Sequence, residues 1–450
     1  MSDIRGLRFS LVAFVVCMGC GSLDVDPPPS LTATYEATEE SVLTPYPSDR
    51  YTVADSAAAT GRRLAVANSD TRDLLSSDPV SLAELDQQDG FSIHGGVVLS
   101  FSGRPDIDTV ARIGSVPDVS FSDRVGPPRE AEAFTQPDSP LLLVDVDPAS
   151  PDRGKARGLI VTYWEHDGAI DGGESEYTII AQPARPLRPR TRYLFVATDR
   201  WRGDQGESVV PSARTKQLLA GEVEVDYGIQ VAEGLALVED GFGVRPGEVV
   251  LVTAFTTQSV HEELLAAASA QREMAAPKLL APWLVETPVA DDGRVRLRAV
   301  MEAPAYRAED ERFVIDDGVP RVIGMDNLEV FLAVADDAQT TRRPVVIYGH
   351  GLSGDKDGCW GTAQRLAGLG VAVFAIDAPH HGTRGGTTVN AVTSTTKFFG
   401  MDPDDRSFVI GRARDNFRQM ALDQLTLVRL LSSLSELDVL PIGAPDGKPD

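Results

Sequence analysis

This 450-residue chain is poor in cysteine, short of positive charge and without any Gly-x-Ser-x-Gly pentapeptide. Cys17 and Cys20 sit in the first twenty residues, which leaves Cys359 with no partner for an intramolecular disulfide. A lone cysteine with no matched base reads as a buried apolar filler. Lys and Arg number 42 against 67 Asp and Glu, for a formal charge of −25. That balance excludes nucleic acid as a partner, because phosphates need a basic face. An aromatic content of 6% gives little material for an aromatic-lined binding patch. The acidic stretch Asp167-Gly-Ala-Ile-Asp-Gly-Gly-Glu174 lacks the alternating ligand spacing of a calcium loop and reads as a solvated turn. No metal and no cofactor are expected.

What is present is enough apolar residue, 42%, to bury two or three cores, with 40 Gly and 30 Pro favouring a strand-rich body. Arg5 and Arg8 flank an apolar stretch, Phe9–Cys17, that is too short to span a bilayer and reads as a targeting segment over residues 1–20. Residues 21–42, with Asp26-Pro-Pro-Pro29, read as a polar tether. From 43 to 335 apolar β-branched runs recur: Gly96–Phe101, Leu141–Val146, Leu159–Tyr163, Arg192–Thr198, Val249–Phe255, Val295–Met301 and Leu328–Ala335. Each is bounded by Gly, Pro or Asp, as in a sandwich. Two helices interrupt them, with capping boxes at Ser81/Glu84 and Ser259/Glu262.

The period changes in residues 336–450. Strands at Val345–Tyr348 and Val371–Ile376 flank a helix at Thr362–Gly368. A helix from Asp415 to Ser433 then carries Phe417, Ala421, Leu425, Val428 and Leu431 on one stripe, widened by Leu422, Leu427, Leu430 and Leu434. Near-continuous apolar strands alternating with helices predict a parallel sheet covered on both faces. The fold expected is therefore mixed: a β-rich, sandwich-like N-terminal domain followed by a partial parallel α/β sheet.

Several stretches resemble known families. Cys17-Met-Gly-Cys20 resembles the lipobox of bacterial lipoproteins, in which the cysteine at the Cys20 position is lipidated. Tyr348-Gly-His-Gly-Leu-Ser-Gly354 is similar to the strand-and-turn of α/β-hydrolases. The resemblance implies that His350 and Gly351 form an oxyanion turn and that the Leu352 N–H helps hold the oxyanion. Read without the family, the same residues are a glycine turn ending a strand. Asp377-Ala-Pro-His-His-Gly382 resembles the second landmark of that superfamily and implies that His381 and Gly382 shape the pocket wall. Pro45-Tyr-Pro-Ser-Asp49, Arg185–Tyr193, Phe255-Thr-Thr-Gln-Ser259 and Arg414–Leu425 complete a likeness to secreted lipase-like lipoproteins named after virulence-factor lipases.

The resemblance implies an exported, membrane-anchored lipoprotein with an ester or lipid substrate. In such proteins the nucleophile, acid and base would follow the loop at 441–450, so little or no esterase activity is expected of these 450 residues. Ser353, the one serine in a nearby glycine turn, lacks the elbow spacing. The alternative is a non-catalytic surface module in which the β-rich half binds a glycan or a protein.

Overall fold

The computed structural model describes residues 30–35, 44–66, 87–106, 131–166, 176–286, 294–316, 318–335, 343–385, 390–402 and 407–434. Cys20, the Ser81/Glu84 capping box, the acidic stretch 167–174 and the loop 441–450 lie outside them.

Among the described residues, eight strands build the two main sheets of the first body, beside a small hairpin of Thr52–Ala54 and Arg62–Leu64. They are β1 (Leu31–Ala33), β2 (Val97–Phe101), β3 (Leu141–Asp145), β4 (Leu159–His166), β5 (Glu176–Pro183), β6 (Arg192–Thr198), β7 (Val209–Pro211) and β8 (Val249–Thr256). One sheet has the order β4-β5-β2-β1-β7, the other β8-β6-β3. Alternation decides which side faces in. Val97, Leu99 and Phe101 of β2 and Val161 of β4 meet Leu141, Leu143, Phe195 and Phe255 of the second sheet in one core. The second sheet is apolar on both faces, and its outer residues Leu142, Val144, Leu194, Val196 and Val252 pack against helices. The body is therefore three layers, β/β/α.

Those helices, α1 (Ala213–Leu219) and α2 (Val225–Phe242), were not expected from the sequence. Tyr227, Val231, Leu235, Val238 and Phe242 form the buried stripe of α2. At about 1.5–3 kcal/mol per fully buried large side chain, this stripe outweighs the helix's poor propensity. A second correction concerns the tether. Residues 30–35 are not a free spacer: β1 pairs antiparallel with β2 and parallel with β7, and Tyr35 is buried.

Three family-like fragments converge here. Asp49, buried, accepts hydrogen bonds from the Thr256 N–H and hydroxyl, both at 2.8 Å. The Thr257 hydroxyl donates to the Arg188 carbonyl at 2.6 Å and accepts from the Thr191 N–H at 3.0 Å. The Pro45–Asp49, Arg185–Tyr193 and Phe255–Ser259 segments thus brace one end of the sandwich.

The predicted capping box at Ser259 does not form, because its N–H and hydroxyl are given to Asp89. Helix α3 instead spans Glu262–Glu273, and the Glu262 carboxylate accepts the N–H groups of Val260 and His261.

The second sheet system has the order β9-β10-β11-β13-β12, from β9 (Leu284–Val285), β10 (Arg294–Ala305), β11 (Gly324–Ala335), β12 (Val345–Tyr348) and β13 (Ala372–Ile376). The boundary read at 335/336 therefore falls inside one sheet: β10 and β11 pair antiparallel over twelve residues, and β11 hydrogen-bonds directly to β13. The sheet is mixed, not parallel, with β12–β13 its one parallel pair among the described residues. Helix α4 (Trp360–Ala367) covers one face at Phe331, Ala333 and Val373. On the opposite face lies α6 (Ile410–Leu434), while α5 (Ala391–Phe398) stands at the strand ends.

The stripe predicted for α6 holds in part: Leu422, Leu427 and Leu430 are buried, and Leu431 and Leu434 pack against the core that Leu427 and Leu430 enter. Phe417 and Val428 are exposed, while Asp415, Asn416, Gln419, Asp423 and Thr426 are buried beside Leu422, Leu427 and Leu430. Each buried polar group finds a partner. Asp415 accepts from the Phe313 N–H at 2.9 Å, and the Gln419 carbonyl oxygen accepts from the Tyr306 N–H at 3.0 Å. The Asp423 carboxylate meets Arg384 at 2.6 Å, and the Thr426 hydroxyl accepts from Gln271 at 2.6 Å. Burial without such partners would cost several kcal/mol for each charged group.

Candidate functional site

The two family-like turns leave the C-terminal ends of β12 and β13, neighbouring parallel strands. In open α/β sheets this end is where ligands bind. After Tyr348 the chain turns sharply: the Gly354 N–H donates to the Gly351 carbonyl at 3.1 Å, and Ser353 has φ +62°. His350 fixes the turn to its neighbour. Its Nε2 accepts the Ala378 N–H at 3.0 Å, so Nδ1 carries the proton and donates to the Gly351 carbonyl at 2.9 Å. Leu352 is exposed, and among the described residues its N–H meets no acceptor.

The second turn is built on Asp377, whose role the sequence reading did not assign. Its carboxylate, almost fully buried, accepts four hydrogen bonds: Lys356 N–H at 2.8 Å, Lys356 Nζ at 2.7 Å, Thr383 N–H at 2.9 Å and Thr383 hydroxyl at 3.0 Å. Burial alone would raise the Asp377 pKa, but Lys356 and Thr383 outweigh it and hold the carboxyl below its ordinary range. Burial likewise opposes the Lys356 ammonium, and Asp377 with Glu329, 2.9 Å away, outweighs it and raises its pKa. Lys356, from the loop after β12, therefore ties β11, β12 and β13 together. Arg384 adds a second tie, donating to the Asp377 carbonyl at 3.2 Å and to Asp423.

The predicted pocket-wall residues separate. Gly382 lines a cleft of about 420 Å³ together with Ser353, Gly354, Asp355, Lys356 and Thr383. His381 lies beneath it, 1% exposed, with Nδ1 donating to the Pro379 carbonyl at 2.8 Å and its ring edge-on to Phe398. The polar groups of the cleft already serve the fold. Asp355 caps the turn through the Gly358 N–H, the Ser394 hydroxyl donates to the His380 carbonyl, and Asn390 caps α5.

Ser353 is poorly placed as a nucleophile. Its hydroxyl pairs with that of Thr395 at 2.7 Å, while both nitrogens of His350, the imidazole of its own turn, are committed to backbone groups. His380, at φ +61°, faces Glu311 at 3.2 Å. Cys359 is buried, and burial pushes its thiol up to about 11, which agrees with a filler role. Among the described residues no group of three or more His, Cys, Asp or Glu could hold a metal ion, and no helix is long and apolar enough to cross a membrane.

His381 makes the site sensitive to acid. Burial, with His350 and His380 nearby, lowers its pKa below 6.5. The unfolded chain then binds the proton more tightly than the native one, so this contribution is complete above 6.5 and is lost as pH falls through the native value. Thermal midpoints measured from pH 7 downward should fall in this window, and His381→Phe should flatten the slope. An unchanged slope would show that His381 binds its proton equally in the native and unfolded states.

The arrangement is a backbone turn with an exposed residue at Leu352, braced by a buried ion pair, and among the described residues it brings no nucleophile together with a base. Comparison with known proteins gave no match: no family model, no curated protein and no solved structure matches the chain.

Proposed function

We propose that this is an exported lipoprotein, lipidated at Cys20, whose second sheet system is the opening half of an α/β-hydrolase fold for carboxylic esters. The observation that carries the reading is the Gly349–Leu352 turn, pinned by His350 to Ala378 at the end of the parallel pair β12–β13, with Leu352 exposed and its N–H meeting no acceptor among the described residues. An amide so placed can donate to an oxyanion as charge develops on it.

The helices support the same reading. Right-handed crossovers dominate parallel connections, so two helices on opposite faces lead the chain in opposite directions across a sheet. Helix α4 carries it from β12 inward to β13, and α6 lies on the other face. A strand following α6 would therefore add beside β12, where Val345 and Val346 are exposed. A nucleophile elbow on that strand would stand across from Leu352.

The test has two arms. Codons following 450 should encode an in-frame Gly-x-Ser-x-Gly. A chain extended through that motif should hydrolyse a short-chain chromogenic ester, whereas residues 21–450 alone should not. In the extended chain Leu352→Pro, which removes the donor, should lower kcat about 10²–10³-fold. Robust turnover by residues 21–450 that Ser353→Ala abolishes would refute the proposal.

A further inference from the structure

The cleft beside Leu352 keeps polar atoms beyond those that the fold uses. Its nine described lining residues are Gly, Ser, Thr, Asn, Asp or Lys, with no aliphatic or aromatic residue among them. Pockets in this size range, about 420 Å³, ordinarily have mostly apolar walls with a few polar groups. This one reverses the proportion, which calls for a ligand that is polar throughout.

Each capping group uses only part of its capacity. Asp355 Oδ1 accepts the Gly358 N–H at 2.9 Å, and Oδ2 meets no donor among the described residues. Asp357 Oδ1 is held by Arg298, and its Oδ2 likewise meets no donor there. Asn390 Oδ1 accepts the N–H groups of Val392 at 2.9 Å and Thr393 at 3.0 Å, so Nδ2 carries two hydrogens that find no acceptor among the same residues. The Ser394 hydroxyl, buried at the cleft wall, donates to the His380 carbonyl at 2.9 Å and keeps its lone pairs. Lys356 and Thr383 are committed to Asp377, and the Ser353 hydroxyl pairs with Thr395.

We infer that this cleft holds the ring of a neutral sugar. Two carboxylate oxygens and a serine oxygen stand ready to accept, and one amide stands ready to donate. Sugar hydroxyls do both, and neighbouring hydroxyls on one ring can donate to one group and accept from the next. An acyl chain would find no apolar wall. An anion would face Asp355 and Asp357, with Lys356 already engaged by Asp377 and Glu329, and Arg298 by Glu286 and Asp357. A bare metal ion would need several close ligands, and among the described residues no group of three or more His, Cys, Asp or Glu could hold one. Ser353 and Gly354 of the cleft follow Leu352 directly, so a ring seated here lies next to the exposed turn. That the sugar belongs to the ester substrate rests on the ester reading, whereas the sugar site itself does not.

Residues 21–450 should be titrated with the methyl pyranosides of glucose, galactose, mannose and xylose by saturation-transfer NMR, with hexanoate and glucuronate as apolar and acidic controls. At least one pyranoside should bind in the millimolar range, ahead of both controls. Asp355→Ser and Asn390→Ser keep a capping oxygen for each turn and remove the group that faces the cleft. Each should raise the Kd about fivefold or more without lowering the thermal midpoint. Absence of any pyranoside signal, unchanged binding in either variant, or a preference for hexanoate or glucuronate would each overturn the inference. In a chain extended through a nucleophile motif, a monoacetylated form of the bound pyranoside should exceed ethyl acetate in kcat/KM about tenfold or more. Equal values would overturn the assignment of the sugar to the ester. No turnover of either ester would count against the ester reading alone, because the titration decides the cleft.

Discussion

Lys356→Met is expected to destabilise the second sheet system by about 3–5 kcal/mol, the range for removing one partner of a buried ion pair. Methionine keeps most of the volume of the lysine stem, so the loss isolates charge from packing. What remains is the Asp377 carboxylate, 2% exposed, with no cation, and Glu329 without its nearest ammonium. Asp377→Asn in the same chain removes the stranded charge and should recover part of the loss.

The pH dependence gives an internal check. In the native protein the depressed Asp377 pKa contributes stability that is complete above the ordinary carboxyl value of 3.8 and is lost as pH falls below it. The gap between wild type and Lys356→Met should therefore narrow in acid. Urea unfolding at pH 7 and near pH 3, followed by a probe in the second sheet system, measures both. A loss under 1 kcal/mol at neutral pH would mean that water reaches Asp377 in solution.

Gly382→Ala should be nearly as damaging, for a different reason. Gly382 sits at φ +49°, where a Cβ costs roughly 1–2 kcal/mol by itself. The added carbon would also overlap the Asp377 carboxylate, which is held by four hydrogen bonds and cannot step aside without breaking them. Together these predict a loss of at least about 3 kcal/mol. Gly382→Asn, which tolerates the left-handed region, should fail as well because the overlap remains. Gly385→Ala, at φ −82°, is the control and should be close to neutral. Thermal midpoints of the three variants rank the two effects: rescue by asparagine would put the cost in the backbone, failure in the overlap.

Strands were legible in this sequence because an apolar β-branched run bounded by turn residues leaves few alternatives. Arg192–Thr198 and Val345–Tyr348 are found where the pattern places them. Helix α2 was hidden by its three glycines, Gly228, Gly234 and Gly241, and by a start at Glu224 with no side-chain cap. Its spacing of Tyr227, Val231, Leu235, Val238 and Phe242 at four, four, three and four residues was the signal that could have found it.

Helix α6 was legible in part: Leu422, Leu427 and Leu430 are buried as the pattern predicts. Hydrophobic periodicity selected Phe417 and Val428, but Asp415, Gln419 and Asp423 go inward because Phe313, Tyr306 and Arg384 offer them hydrogen bonds. No pattern in α6 alone reveals that, since the partners lie from 39 to 113 positions away in the chain. The candidate site was legible as two glycine turns. Its brace was not, because Lys356 and Asp377, twenty-one residues apart, read as ordinary surface charges until the strands bring them together.

The burial of β1 has a mechanical consequence. Leu31 follows Cys20 by eleven positions, so the lipidation proposed at Cys20 would hold the sandwich within roughly 40 Å of the lipid. Any drag on the leader is delivered to an interior strand gripped on both flanks, through Leu31 N–H to the Ser208 carbonyl and Thr34 N–H to the Ser100 carbonyl. Tension on the residues before Leu31 is thus shared by two neighbours at once and cannot unzip a free edge.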